Sequence, residues 1–333
     1  MSPPRFHASL AWLRCSHAAA VAPRAALWLA LTALALPASA LVAQSETSSQ
    51  SPIRFGFSRS MFREVNESDA RASLKVYAGV IARERNLTTD PDPLLYEGSA
   101  EIVGSLRQGT VDIVAGPSAE LLPLPAGLVT GPYLLSIFAT GPGVEYLLLT
   151  HVDSGIATLA DLKGRRVAVL NSVRGSLATC WLDVLLGARG LGLTRQFLRD
   201  LRLVAKPSLA VLPVFFRQLD ACVITRESFA IAVEMNPQVG RQLRILATSP
   251  LVVPTVTCFR QRFDPKIRAR VVDALASIQT SVAGQQMLTI FQAEKVEARD
   301  DSDLITTRQL LADHARLTAA TEGMPGPANA TNR

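Results

Sequence analysis

Aromatic side chains are scarce in this chain of 333 residues, at 6% of the total, and no stretch interleaves them with a stripe of Lys and Arg. Nucleic-acid-binding domains carry such a basic surface, so the chain is not expected to bind nucleic acid. Arg5, Arg14 and Arg24 all precede the first acidic residue, Glu46. Without these arginines the formal charge falls from +6 to +3, so the high isoelectric point belongs partly to the N-terminus.

Cysteine and histidine are equally scarce, with four residues of each type. Cys180, Cys222 and Cys258 are widely spaced and form no Cys-x-x-Cys or Cys/His pattern, which argues against a metal site. Each lies in an apolar segment, so we expect three small buried side chains, with one disulfide as the alternative in an oxidising compartment. The sequence predicts no metal and no cofactor.

Catalytic motifs are also missing, because no G-x-S-x-G, H-E-x-x-H or P-loop pattern occurs. His151 and His314 are the histidines beyond residue 43, and neither has a nucleophile near it in sequence. A triad assembled from distant residues stays open, since a fold alone does not exclude catalysis. We nevertheless expect a protein that is not an enzyme.

The N-terminus has the pattern of a secretory signal peptide. Its basic residues are followed by an apolar run at 25–36 and by the small residues Ala38, Ser39 and Ala40. That run is shorter than the roughly 20 residues that span a bilayer. We expect residues 1–43 to be a cleaved signal peptide and 44–52 a flexible leader, which places the protein in the periplasm. An uncleaved anchor is the alternative.

Strands and helices alternate in the rest of the chain. Short β-runs at 53–57, 94–96 and 111–115 are separated by segments with helical spacing, an order that predicts a parallel sheet. A second alternating unit begins near residue 146, and strands at 243–247 and 252–260 return to the first unit. The sequence therefore predicts an α/β protein with two lobes and two hinge crossings, each lobe a mainly parallel sheet flanked by helices.

The predicted boundaries follow from this order. Lobe one comprises residues 53–136 plus 248–317, and lobe two comprises 137–247. The crossings are expected near 135–140 and 247–250. Residues 318–333 are rich in Ala, Pro, Gly, Asn and Thr, a composition typical of a disordered tail.

One polar loop has the features of an anion cradle. The apolar run 167–170 ends in Asn171, a loop with hydroxyls, an Arg and a Gly follows, and helical spacing begins at Leu177. The first N–H groups of a helix lack intrahelical partners, so we expect unpaired N–H groups to face the loop and favour negative charge. The pattern therefore predicts an anion-binding loop at residues 171–176.

Other loops that follow strands supply further candidates, because open α/β sheets bind ligands at the carboxyl ends of their strands. For each of them a turn or a helix cap is the alternative role. The candidates are Ser58, Arg59 and Ser60 after the first strand, Tyr96 and Glu97 after the second, Ser118 after the third, and Thr225 and Glu227 after the strand 221–225.

Four segments together resemble one protein family. They are IRFGFSRSMF at 53–62, YEGSAEIVGSLRQGTVDIVAGP at 96–117, DSGIATLADLKGRRVAVLNSVRGS at 153–176, and LDACVIT at 219–225. In this order they resemble the substrate-binding proteins of phosphate, phosphite, phosphonate and sulfonate ABC importers, which have the type II periplasmic binding protein fold. The third segment is the most specific, since its turns, strand and Ser-containing loop occur in one order.

The resemblance implies a monomeric receptor that closes on a small oxyanion between two lobes. Its partner would be an ABC transporter permease in the inner membrane, or a sensor kinase if the receptor signals. In the family, the loop after the lobe-two strand holds the anion, which implies that role for Ser172, Arg174, Gly175 and Ser176. This loop departs from the Ser-Thr-Ser run of phosphonate binders. Arg174 supplies a bidentate donor that suits a carboxylate or a sulfonate as well.

Glu227 has two interpretations. It could accept an ammonium group of an aminoalkyl phosphonate, or it could form a salt bridge with Arg226 or another neighbour. Arg174 could likewise be a solvated loop residue outside the cleft.

Overall fold

The computed structural model describes residues 51–62 and 66–322. The predicted signal peptide, most of the predicted leader and residues 323–333 lie outside the described residues. Two sheets organise the described chain, and the sheet that begins with the first strand defines the first lobe. Its strands are β1 Phe55–Ser58, β2 Leu94–Tyr96, β3 Ile113–Pro117, β4 Val129–Ile137, β10 Thr255–Arg260 and β11 Lys295–Arg299. Its helices are α1 Glu67–Arg85, α2 Ser99–Gln108, α3 Ser118–Leu121, α9 Pro265–Ala276 and α10 Val282–Ile290.

The second lobe is built on the other sheet. Its strands are β5 Tyr146–His151, β6 Arg166–Leu170, β7 Asp200–Val204, β8 Ala221–Thr225 and β9 Leu243–Thr248. Its helices are α4 Ala178–Gly187, α5 Thr194–Phe197, α6 Pro207–Phe215, α7 Arg226–Met235 and α8 Pro237–Gln242. The long helix α11 Ile305–Glu322 ends the described chain.

Both sheets are covered on both faces, which explains why their strands read as continuous apolar runs. In the first lobe, Phe259 packs in the cluster on one face of the sheet and Val256 in the cluster on the other. In the second lobe, Val223 and Cys222 face opposite clusters in the same way. Alternate residues of one strand therefore fill two separate cores.

The predicted sheets are mainly parallel, and here the structure differs. The strand order is β11-β4-β10-β3-β1-β2 in the first lobe and β7-β6-β8-β5-β9 in the second. The pairs β1–β2, β1–β3, β6–β7 and β6–β8 are parallel, whereas the remaining five pairs are antiparallel. Every antiparallel pair contains β4, β5, β9 or β10. In direction, β10 and β11 run opposite to the other strands of the first sheet, and β5 runs opposite to the other strands of the second.

The two crossings run side by side at 138–145 and 249–254, between β4 and β5 and between β9 and β10. Val144 and Val252 exchange backbone hydrogen bonds of 2.8 and 3.0 Å. Ser249 adds a backbone bond to the Tyr146 carbonyl, and its Oγ accepts from the Tyr146 N–H at 2.8 Å. The crossings overlap the expected positions and form a short two-stranded connection between the lobes.

Two strands were not predicted from the sequence. Within β4, Gly131 and Pro132 form a dipeptide that marks turns in most sequences, so the strand signal is interrupted. The sequence of β11 is KVEAR, and three charged residues in five conceal a strand at the edge of a sheet. Charged side chains are common at such edges because they discourage pairing with another chain.

Helix α11 corrects two expectations about the C-terminal segment. It lies against α4 of the second lobe. The Leu317 side chain packs so closely on Gly187 that a Cβ added at this glycine would lie 2.6 Å from Leu317 Cδ1. Leu310 is buried in the same core, whereas Arg308 donates to the Leu122 carbonyl and the Tyr133 hydroxyl of the first lobe. The helix therefore packs against both lobes, although the sequence interpretation assigned residues 305–317 to the first. The helix also continues to Glu322, so residues 318–322 of the expected disordered tail are helical.

A buried hydrogen-bond network joins α11 to α4. Asp183 accepts from the Thr194 N–H at 2.7 Å, and its second oxygen lies 3.1 Å from His314 Nε2. An ionised carboxylate only accepts hydrogen bonds, so His314 is the donor. Burial acts to raise the pKa of Asp183, but the hydrogen bonds from His314 and Thr194 outweigh it and the net pKa is lowered.

Asp183→Asn is therefore expected to lower the free energy of unfolding at pH 7 by about 1–3 kcal/mol. A lowered folded-state pKa gives stability that is present above the ordinary Asp pKa of about 3.9 and is lost as the pH falls through the folded-state value. Urea unfolding of both proteins from pH 7 to pH 2.5 measures this. The gap between them should close at acid pH, and a constant gap would contradict the assignment.

Candidate ligand-binding site

The lobe-one wall of the site is formed by residues that follow β1 and β3, two paired parallel strands. Ser58, the fully buried last residue of β1, donates from Oγ to Glu120 Oε2 at 2.6 Å. Ser60 donates to Glu120 Oε1 at 2.5 Å, and the two serine Oγ atoms lie 2.6 Å apart. Glu120 lies in the short helix α3. Two predicted ligand residues are thus brought together by a carboxylate that the sequence interpretation did not include.

The carbonyl of Pro254 connects the two lobes at this site. It accepts from the Ser118 N–H at 2.9 Å and from Ser176 Oγ at 3.1 Å. Ser118 follows β3 in the first lobe, whereas Ser176 belongs to the loop after β6 in the second. Ser118 Oγ is buried and has no hydrogen-bond partner among the described residues. The structure therefore brings these two predicted residues, one from each lobe, to one carbonyl in the second crossing.

Arg174, the cation of the polar loop, is largely buried, with 14% of its side chain exposed. Its guanidinium forms an ion pair with Glu227 and lies over the Phe138 ring, 4.6 Å from the centroid. Burial lowers the pKa of Arg174. Its Nε–H is buried without a hydrogen-bond partner in the described chain. Of the two interpretations of Glu227, the structure thus shows a salt bridge, with Arg174 as the partner, while Arg226 pairs with Glu145.

The loop that carries Arg174 is fixed by Tyr146 and by a close approach at Gly175. The buried Tyr146 hydroxyl donates to the Arg174 carbonyl at 2.8 Å and accepts from the Leu177 N–H at 3.3 Å. Burial raises the pKa of Tyr146, so the hydroxyl keeps its proton. A Cβ at Gly175 would lie 2.3 Å from the Leu170 carbonyl oxygen, which only glycine avoids. Gly175 therefore shapes the loop by having no side chain.

The prediction of unpaired backbone N–H groups is wrong for residues 175–178, at the end of this loop. Gly175 N–H donates to the Ser172 carbonyl at 3.0 Å and approaches Ser172 Oγ at 3.2 Å. The N–H groups of Ser176 and Ala178 donate to Val173 and Gly175 carbonyls, and that of Leu177 to Tyr146. The loop folds back on itself, so its turns satisfy donors that the sequence pattern leaves open.

The remaining predicted residues have structural contacts of their own. Arg59 forms an exposed ion pair with Glu97, at 2.6 Å. Thr225 caps α7, since its Oγ1 accepts from the Ser228 N–H at 3.1 Å. Tyr96 is buried in the first-lobe core, and burial raises the pKa of its hydroxyl. In strand register, Tyr96 lies opposite Ser58 and Thr225 lies opposite Tyr146.

Three residues of the site were missed by the sequence interpretation. Glu120 lies two positions after Ser118, so the rule that selected Ser118 would also have found it. Phe138 and Pro254 lie in the two crossings, where the sequence gives no signal for contact with the polar loop. Their roles depend on tertiary structure.

Two cavities of the described chain contain none of the predicted ligand residues. An apolar cavity of about 70 Å³ lies within the first lobe, between Phe57, Met61 and Phe291. A groove of about 560 Å³ lies between α3, α4 and α11 and includes Cys180 and Arg308. The surroundings of Arg174 have more of the chemistry of an anion site, because they combine a positive charge with a buried N–H donor that has no partner in the described chain.

Cys180, Cys222 and Cys258 are buried and free, and burial raises the pKa of each thiol, to about 12 for Cys180 and Cys258. Within residues 51–62 and 66–322, no group of three His, Cys, Asp or Glu side chains is placed to hold a metal ion. Over the same residues, no helix combines the length and apolar character needed to cross a membrane.

Comparison with protein families agrees with this geometry. Residues 84–304, more than half of the chain, match the family model described as the periplasmic substrate-binding protein of phosphonate ABC transporters. The chain belongs to this family. Its members are substrate-binding components of importers and are periplasmic, which confirms the resemblance seen in the sequence. A comparison with curated protein sequences finds no match.

Solved structures show the same fold at low sequence identity. XAC2383 of Xanthomonas citri, bound to chloride, is 17% identical with a TM-score of 0.59, covering 80% of this chain and 99% of its own. A binding protein of an ABC phosphonate transporter from Pseudomonas aeruginosa is 18% identical with a TM-score of 0.54, covering 83% and 91%. PhnD1 of Prochlorococcus marinus, in complex with methylphosphonate, is 11% identical with a TM-score of 0.51, covering 78% and 96%. These similarities confirm the two-lobed α/β fold.

Proposed function

We propose that this protein captures a small oxyanion of the phosphonate, phosphite, phosphate or sulfonate class between its lobes and delivers it to an ABC importer permease. Family membership supports the role of a substrate-binding component. The Arg174 Nε–H carries the assignment of the site, because this buried, charged donor has no hydrogen-bond partner in the described chain. An oxyanion would supply the missing acceptor.

The surroundings of Arg174 support an anion at this position. Ser172 lies in the same loop, and the unpartnered Ser118 Oγ lies across the Pro254 carbonyl, on the other lobe. Hydrogen bonds to charged groups contribute about 1.5–3 kcal/mol each, so three or four of them account for the ~8 kcal/mol of a micromolar site before the costs of association are subtracted. The chemistry required is binding, and no catalytic step is invoked.

The same proposal includes secretion through a cleaved signal peptide, residues 1–43, and a monomeric receptor in the periplasm. The two crossings at 138–145 and 249–254 would be the hinge about which the lobes open and close. Ligand would then bridge the Arg174 loop of one lobe and the Ser118 turn of the other. Closure would present the loaded protein to the permease.

A thermal-shift screen tests this proposal. The full chain is expressed with its own leader and purified from the periplasm, and its mass reports whether residues 1–43 have been removed. Phosphate, phosphite, alkylphosphonates, aminoalkylphosphonates, sulfonates, sulfate and small carboxylates are each added at equal ionic strength, with chloride as the control. A ligand at 100 times its dissociation constant adds ~2.7 kcal/mol, which raises the melting temperature by several degrees. No rise with any of these anions would contradict the proposed function.

A further inference from the structure

The cation of the candidate site already has a negative partner within the protein. Arg174 forms an ion pair with Glu227, and their side chains are 14% and 26% exposed. The same guanidinium lies over the Phe138 ring, 4.6 Å from its centroid. Salt screens an ion pair weakly when it is largely buried, so both charges of the pair act on a ligand. Because the formal charges cancel, an arriving anion meets a pair with no net charge.

Helix α7 holds Glu227 in this position. Thr225 caps the helix, and Glu227 lies in its first turn. The positive end of the helix dipole and the Arg174 guanidinium both favour a negative charge there, so we take the Glu227 carboxylate as ionised at neutral pH. The preceding residue, Arg226, pairs with Glu145, so its charge is also matched within the protein.

The polar loop adds few backbone donors that could attract further negative charge. The N–H groups of residues 175–178 donate to carbonyls of the loop itself or to the Tyr146 hydroxyl. The Arg174 Nε–H, in contrast, is buried without a hydrogen-bond partner in the described chain. The loop therefore offers an anion one charged donor, and the charge of that donor is matched by Glu227.

This arrangement treats singly and doubly charged anions differently. The cost of removing an anion from water rises steeply with its charge. An arginine by itself would offset part of this cost, because it attracts a doubly charged anion twice as strongly as a singly charged one. Beside Glu227 that gain is cancelled, since the carboxylate repels the second charge while the guanidinium attracts it. The added desolvation cost of the second charge is then left without compensation.

We propose that Glu227 makes the site select singly charged oxyanions over doubly charged anions of the same shape. The ligand would be a sulfonate, a carboxylate, or a phosphonate or phosphite that keeps one proton. Sulfate and fully ionised phosphonates would be rejected. This inference rests on the proposed function, because it specifies the charge of the anion that the site captures.

Titration calorimetry with matched anions tests the inference. Methanesulfonate and sulfate share a tetrahedral shape and differ by one negative charge, and propionate and malonate are a similar pair of carboxylates. Methylphosphonate gives a third comparison, because raising the pH from 6 to 9 removes its second proton. The periplasm-purified wild type is compared with Glu227→Gln, which keeps the size of the side chain and removes its charge. The control is Glu234→Gln, which removes the same charge two turns further along α7, at an exposed position.

In the wild type we expect the singly charged member of a bound pair to bind roughly tenfold to hundredfold more tightly than the doubly charged member. The affinity for methylphosphonate should fall by a similar factor between pH 6 and pH 9. Glu227→Gln should strengthen binding of both members, and of the doubly charged member more, because the repulsion removed scales with the charge of the ligand. Glu234→Gln should keep the wild-type ratio. A purely structural role for Glu227 would change the melting temperature without changing this ratio.

Three results would overturn the inference. The first is a wild type that binds the doubly charged member of a pair at least as tightly as the singly charged one, which is decisive even if the variant fails to fold. The second is a folded Glu227→Gln protein that keeps the wild-type ratio. The third is a ligand in the wider anion screen with none of the paired anions bound, since charge would not then decide binding. Failure of the whole screen would instead contradict the proposed function itself.

Discussion

Arg174→Ala is expected to weaken binding of the ligand by roughly tenfold to hundredfold, because a hydrogen bond to a charged group contributes about 1.5–3 kcal/mol. The substitution also leaves Glu227 without its partner, and an unpaired carboxylate at this position repels an anion. Both effects act in the same direction. The fold should persist, since the Tyr146 hydroxyl bonds to the backbone of residue 174 and not to its side chain.

Calorimetry with the strongest ligand of the anion screen measures the effect. Arg226→Ala is the matched control, because Arg226 also pairs with a glutamate, Glu145 at the end of the first crossing, but is 53% exposed. Its affinity should stay close to that of the wild type. Arg174→Lys keeps the charge but loses the planar fork, so it should restore only part of the affinity. An unchanged dissociation constant for Arg174→Ala would remove this residue from the site.

Asp112→Ala is expected to lower the free energy of unfolding by about 3–5 kcal/mol, the cost of breaking a buried charge pair by removing one partner. Asp112 is 4% exposed and immediately precedes β3. Its Oδ2 accepts from the backbone N–H and the Nε of Arg54, both at 3.1 Å, and its Oδ1 accepts from Arg260 Nη2 at 2.9 Å. The Asp112 carboxylate thus links three points of the first lobe: the residue before β1, the residue before β3 and the last residue of β10.

Urea unfolding of wild type and variant, monitored by circular dichroism, tests this expectation. Asp92→Ala is the control, since Asp92 forms an ion pair with Lys75 at 2.6 Å in the same lobe but is 67% exposed. Exposed pairs contribute about 0–1 kcal/mol, so this variant should be nearly as stable as the wild type. The role of Asp112 is contradicted if its loss costs no more than the loss of Asp92.

The sequence correctly predicted the strands and helices whose local residue pattern matches the secondary structure that they adopt. The strands 94–96 and 221–225 are at the expected residues, because each is a short apolar run bounded by turn residues. The helix after Gly98 ends at Gly109, whose left-handed conformation suits glycine. The strands β4 and β11 were missed because a Gly-Pro dipeptide and three charged side chains oppose the strand signal.

The candidate site was likewise predicted only in part from the sequence. Strand ends identified the loops that carry Ser58, Ser118 and Arg174, because parallel strands direct their carboxyl ends to one edge of a sheet. The sequence did not identify the partners of these residues. Glu120 and Glu227 engage the expected anion donors from other elements, and the resulting pairs change the charge that a ligand meets.

By itself, the sequence determined the two-lobed α/β architecture, the family and the loops in which a ligand site would lie, since these depend on periodicity and on the order of segments. Only the tertiary structure decided which donors are already satisfied. The Arg174 guanidinium is paired with Glu227, the N–H groups at the end of the loop turn inward, and Glu120 accepts from the hydroxyls of Ser58 and Ser60. The physical reason is that hydrogen bonding and charge pairing depend on distances between residues far apart in the chain, which no local pattern specifies.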